Sequence, residues 1–205
     1  MLRDRLILVI ARYVSIVFTP FYLPLMGLAA LFTFSYLSLF HWLYKLHVLI
    51  LVWLFTCMLP TTLIRLYRHY QGMSLFNLIR REARYVPYII SILCYVVCLY
   101  VMKFRDIPYV MRSIVVAALI IQIACAIINH WWKISIYTAA VGGTTGAVAA
   151  LSLIFGFNPL WWLCLLIVLG GVVGTGRMLL RIHSLSEVTC GFVIGAVLGF
   201  VGVVI

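Results

Sequence analysis

The stretch Ser186-Glu-Val-Thr-Cys-Gly-Phe-Val-Ile-Gly-Ala-Val-Leu-Gly-Phe-Val-Gly-Val-Val-Ile205 carries one charge, Glu187, at its start and is otherwise apolar or small. A transmembrane helix needs about 20 such residues, whereas a barrel strand needs about 10 with alternating polarity. Similar runs recur at about 14–40, 46–64, 86–102, 110–129, 137–156 and 159–176. The expectation is an all-α, polytopic transmembrane bundle of six to seven spans forming a single domain over residues 1–205. The first run is long and contains Pro20 and Pro24, which predicts a kink or an interfacial lead-in. Residues 1–13 are too charged to span and read as an interfacial helix. No small-residue cleavage site follows a short apolar core, so a removed signal peptide is not expected.

Composition agrees. Of the 205 residues, 66% are hydrophobic and 9% charged, against about 45–50% and about 25% in soluble domains. With a mean hydropathy of +1.21 there is too little polar surface to wet a compact fold. Soluble, disordered, collagenous, coiled-coil and disulfide-scaffold classes fall together. Gly191, Gly195 and Gly199 form a small-residue stripe on the last span, and Gly142, Gly143 and Gly146 a similar surface on the fifth, both suited to close helix packing.

Lys plus Arg total 15 against 4 acids, for a net charge of +11. These cations occur as short clusters between apolar runs, so a nucleic-acid-binding face is not expected. Three polar patches end the second, fourth and sixth spans and therefore share one membrane face: Arg80 to Pro87, His130 to Tyr137, and Arg177 to Glu187. The opposite face has four cations, Lys45, Lys103, Arg105 and Arg112, which leaves eleven on the patch face.

The third patch is the most informative. His183 and Glu187 are four apart, so on a helix they can hydrogen-bond; the carboxylate then fixes the imidazole tautomer and leaves the other ring nitrogen as a nucleophile. Arg177 and Arg181, also four apart, would make a fork for phosphate oxygens. A charge entering the bilayer calls for a partner, since it costs about 2.5–3.5 kcal/mol at the centre on insertion scales. The plain structural alternative is a His–Glu pair capping a span, with the arginines as interfacial anchors.

The spacing Arg177-x5-His183-x3-Glu187 resembles the third motif of the type 2 phosphatidic acid phosphatase superfamily. Lys133-Ile-Ser135-Ile-Tyr137 is similar to that superfamily's second motif in its Lys-Ile-Ser-x-His form, and Arg81, Arg84 and Pro87 to its basic first motif, without the usual Lys-x6-Arg-Pro spacing. The resemblance covers the motif-bearing region, about 80–205. It implies a metal-independent, cofactor-free lipid phosphate phosphatase. His183 would attack phosphorus and become a phosphohistidine, and Glu187 would orient it. Arg177, Lys133, Ser135 and Arg84, with Arg81 and Arg181 beside them, would bind phosphate. The implied partners are a phosphorylated membrane lipid and the surrounding lipids, with no nucleic acid.

Three positions depart from the pattern. Gly176 stands where a serine precedes the arginine, and Glu187 replaces aspartate. Tyr137 stands where a histidine protonates the leaving oxygen, and losing a general acid commonly costs about 10²–10⁴-fold. Tyr137 is either the acid itself, the mark of a slow enzyme with an easier leaving group, or the mark of a non-catalytic lipid-phosphate binder. Other residues have structural readings: His41, His47 and His69 as interfacial groups, Trp131-Trp132 and Trp161-Trp162 as anchors, and six scattered cysteines as packing residues. A transporter would place ionisable groups in mid-span, and here they gather at span ends. Sidedness stays open. Charge counting puts the patch face in the cytoplasm, but setting aside five candidate phosphate ligands leaves six cations against four. The resemblance points instead to the outer face of a bacterial inner membrane.

Overall fold

The computed structural model describes residues 20–34, 36–70 and 85–205, which are helical with no strand among them. We number the helices α1 (Leu23–Phe34), α2 (Trp42–Tyr70), α3 (Tyr85–Phe104), α4 (Tyr109–Trp131), α5 (Ile136–Phe155), α6 (Leu160–Leu179) and α7 (Leu185–Val204). The last six are long and apolar enough to cross a membrane. The protein is therefore an all-α integral membrane bundle. Of the expected first run at 14–40, the described residues form turns at Pro20–Tyr22, the 12-residue α1 and a 3-10 turn at Tyr36–Leu39, while 14–19 lie outside them. The expected interfacial helix at 1–13 lies outside the described residues.

Local chemistry sets the helix ends. In α2, residues Leu54–Met58 widen into a π turn just before Pro60, whose ring cannot accept regular α geometry against the preceding turn. The helix then continues to Tyr70, well beyond the expected 46–64. Gly156, at φ +66°, closes α5 in the left-handed conformation that glycine adopts without penalty, and Pro159 opens α6.

The centre of the bundle is the α5–α7 pair, the most extensively packed in the fold. A Cβ placed on Gly195 would lie 1.9 Å from the Ala139 carbonyl oxygen, and one on Gly146 1.9 Å from that of Ala196. The glycine stripes read from the sequence thus interlock backbone against backbone. The same closeness acts at the polar end: a Cβ on Gly191 would lie 2.8 Å from the Ser135 carbonyl oxygen. The start of α7 therefore sits on the start of α5.

Candidate active site

Two capping motifs meet end to end between α6 and α7. At the end of α6 the Ile182 amide donates to the Arg177 carbonyl at 3.2 Å and the Arg181 amide to that of Met178 at 2.9 Å. This is a Schellman turn, with Arg181 at φ +52° in the left-handed position where glycine is usual. At the start of α7 the Ser184 hydroxyl accepts from the Glu187 amide at 3.4 Å, while Glu187 Oε2 accepts from the Ser184 amide at 3.3 Å. That reciprocal pair is a capping box. His183 is the single residue between the two turns.

The same Glu187 oxygen lies 2.7 Å from His183 Nδ1. One carboxylate thus caps α7 and grips the imidazole, whose side chain is only 1% exposed. A carboxylate can only accept, so Nδ1 donates and the ring lone pair is carried by Nε2. The expected pairing is present, with a different origin: His183 precedes α7, and the cap rather than a shared helical face brings the two together. The expected Arg177–Arg181 fork has no such support. The helix ends at Leu179, leaving Arg177 buried and Arg181 exposed beyond the turn.

Arg177 comes from the last turn of α6, and its guanidinium carbon lies 4.1 Å from the centre of the Tyr137 ring. Such stacking contributes about 0.5–2 kcal/mol and fixes the plane of the fork. Lys133 reaches the same turn, with Nζ donating to the Ile182 carbonyl at 2.5 Å. Ser135, the N-cap residue of α5, donates its amide to the Glu187 carbonyl at 3.4 Å, so the second and third patches are tied by main chain. The Ser135 hydroxyl is buried and has no hydrogen-bond partner among the described residues. A buried hydroxyl in that state forgoes about 1–3 kcal/mol that an acceptor would restore.

His183, Glu187, Arg177, Lys133, Ser135 and Tyr137 therefore belong to one connected cluster at one end of the bundle. Arg81 and Arg84, with most of the first patch, lie outside the described residues. His130 ends α4 and is exposed, with its ring edge-on to Trp131. His41 caps α2 at the opposite end, accepting from the Leu43 amide. Among the described residues, no three His, Cys, Asp or Glu side chains come together as a metal site. Sequence reasoning did not identify the Ile182 carbonyl that Lys133 holds, nor the turn at Arg181. It also passed over the Ser184-x-x-Glu187 pattern, which is itself a signature of a capped helix start.

Compared with family models, curated proteins and solved structures, the chain matches none significantly.

Proposed function

We propose that the protein is a membrane phosphomonoesterase acting on a lipid-borne phosphate, of the type 2 phosphatidic acid phosphatase kind and working in a bacterial inner membrane. The observation that carries this reading is the His183–Glu187 pair, held at 2.7 Å between two caps, with Lys133 bonded to the carbonyl of the adjacent Ile182 and Arg177 stacked on Tyr137. His183 Nε2 forms a bond to phosphorus while the bond from phosphorus to the lipid oxygen breaks. That oxygen leaves as the alcohol after taking a proton. Water then attacks the phosphohistidine, phosphate departs, and the lone pair returns to Nε2. Glu187 stabilises the imidazolium character that develops, as the buried carboxylate does in other triads. Arg177, Lys133 and the Ser135 hydroxyl neutralise the equatorial oxygens, where most of the catalysis of phosphoryl transfer lies.

The proton for the leaving group is the point on which Tyr137 bears. Its ring face supports Arg177, and that role does not involve its hydroxyl. Proton donation and support of the arginine are thus separable by substitution. Phosphate release from octyl phosphate, phosphatidic acid and a polyprenyl phosphate by the purified protein tests the reading. Wild type is expected to release phosphate and His183→Ala to lose at least about 10³-fold, in line with the loss of a covalent nucleophile. Tyr137→Phe keeps the platform: retained turnover assigns Tyr137 to support, and loss assigns it the proton. The second reading, a lipid-phosphate binder without turnover, is favoured by tyrosine in the histidine's place. It predicts no release by wild type and gain of release by Tyr137→His.

A further inference from the structure

Away from the polar cluster, a cavity of about 40 Å³ lies among residues of α1, α3, α4 and α5. Small residues leave the room for it, Gly27, Ala118, Ala140 and Gly143 among them. Three polar side chains line it, one from each of three helices: Tyr95 on α3, Gln122 on α4 and Thr144 on α5. Each sits at least eight residues from either end of its helix, which is about 12 Å along the axis. They therefore lie at the depth of the hydrocarbon core, where no bulk water reaches a polar group.

The hydrogen bonding of this set is incomplete. Tyr95 is fully buried and Gln122 is 4% exposed, and neither the Tyr95 hydroxyl nor Gln122 Oε1 has a hydrogen-bond partner among the described residues. The Thr144 hydroxyl donates to the Ala140 carbonyl at 3.1 Å, which leaves its oxygen able to accept. The phenol can thus donate into the cavity, and the other two oxygens can accept. Water complements that set: it accepts from the Tyr95 hydroxyl and donates its two protons to Gln122 Oε1 and Thr144 Oγ1.

Size and charge exclude other occupants. A water needs about 10–15 Å³ of such space, so 40 Å³ admits about two or three and nothing much larger. No charged residue stands among the lining residues, so an ion of either sign would lack a counter-charge.

We propose that this cavity is a buried water site, in which ordered water bridges Tyr95, Gln122 and Thr144 and so joins α3, α4 and α5 at mid-depth. Helices in lipid have no hydrophobic force between them, so a polar joint of this kind helps to fix which faces meet. The site is independent of the phosphatase reading and stands whether or not the protein turns over a lipid phosphate.

Radiolytic footprinting of the full chain in phosphatidylcholine nanodiscs tests it. An X-ray pulse turns bound water into hydroxyl radicals in place, and side chains touching that water gain oxygen, which mass spectrometry locates. Trp131, 73% exposed at the polar end of α4, checks the dose. Met102 and Met111, fully buried outside the cavity and more reactive towards the radical, set the background. The expected result is oxygen on Tyr95 well above that background. Gln122→Leu removes an acceptor and is expected to lower the Tyr95 label to the methionine level, with thermal unfolding showing that the variant is folded. Where Gln122→Leu does not fold, Thr144→Val takes its place with the same expectation. An unlabelled Tyr95 in wild type, with Trp131 labelled, overturns the proposal, because the interior is then dry. A Tyr95 label that only matches Met102 and Met111, or that survives unchanged in the folded variant, overturns it too, because the radicals then come from elsewhere.

Discussion

At the scale of single residues, Glu187 and Arg181 show how one position serves both fold and site. Glu187 Oε2 takes the Ser184 amide and His183 Nδ1 together, so the group that starts α7 also sets the imidazole tautomer. Its chemistry was legible from spacing alone. Its geometry was not, because a four-residue interval gives the same contact from within a helix or across a helix start. Arg181 is the converse case. Its spacing from Arg177 suggested a phosphate fork, yet its left-handed backbone and exposure assign it to the turn that ends α6. A left-handed residue with a Cβ costs about 1–2 kcal/mol, more than the ~0.4–1 kcal/mol that glycine adds to the unfolded chain's entropy. Arg181→Gly should therefore leave phosphate release within about twofold and raise the melting temperature by a few degrees. A large loss of release at unchanged melting temperature would return the Arg181 charge to the site.

Among the elements, the α5–α7 pair carries the organisation. The glycine positions on both helices were readable as a packing surface, and in the structure the two stripes meet each other. Which helices would pair was not readable, since a glycine stripe has no address and apolar helices have no hydrophobic preference among themselves in lipid. The pairing matters for the chemistry. The backbone approach at Gly191, Gly195 and Gly199 brings Ser135 and Glu187 within hydrogen-bond reach of each other. Adding a Cβ at Gly195 would drive a carbon against the Ala139 carbonyl, which no rotamer change can relieve. Gly195→Ala is expected to lower stability by about 1–3 kcal/mol, and Gly195→Leu by more, with a matching loss of activity. Thermal unfolding in detergent measures this, and an alanine variant as stable as wild type would contradict the packing. The short α1 illustrates the other direction. Its long apolar run was read as a span with a kink or lead-in at Pro20 and Pro24, and among the described residues the turns at Pro20–Tyr22 precede the 12-residue α1.

For the whole molecule, hydropathy decided class and span order, because six runs of about 20 apolar residues admit little else. The helices from α2 onward cross one after another, so the ends of α4 and α6 and the starts of α5 and α7 share a face. That follows from counting spans, and it is why the second and third patches meet. The charge excess divides accordingly. Arg177 and Lys133 are committed to the polar cluster, while Arg65 and Arg68 lie near the end of α2 on the same face, as interfacial cations do. His183 is proposed to form a covalent bond to the phosphorus of a lipid phosphate, and trapping that bond is the sharpest test of the proposed function. Wild-type protein mixed with a phosphorus-radiolabelled polyprenyl phosphate and quenched in alkali should retain label that acid releases, mapping to His183 and absent from His183→Ala. Label equally present on His183→Ala, or turnover by wild type with no trapped label under conditions that slow hydrolysis of the intermediate, would contradict it.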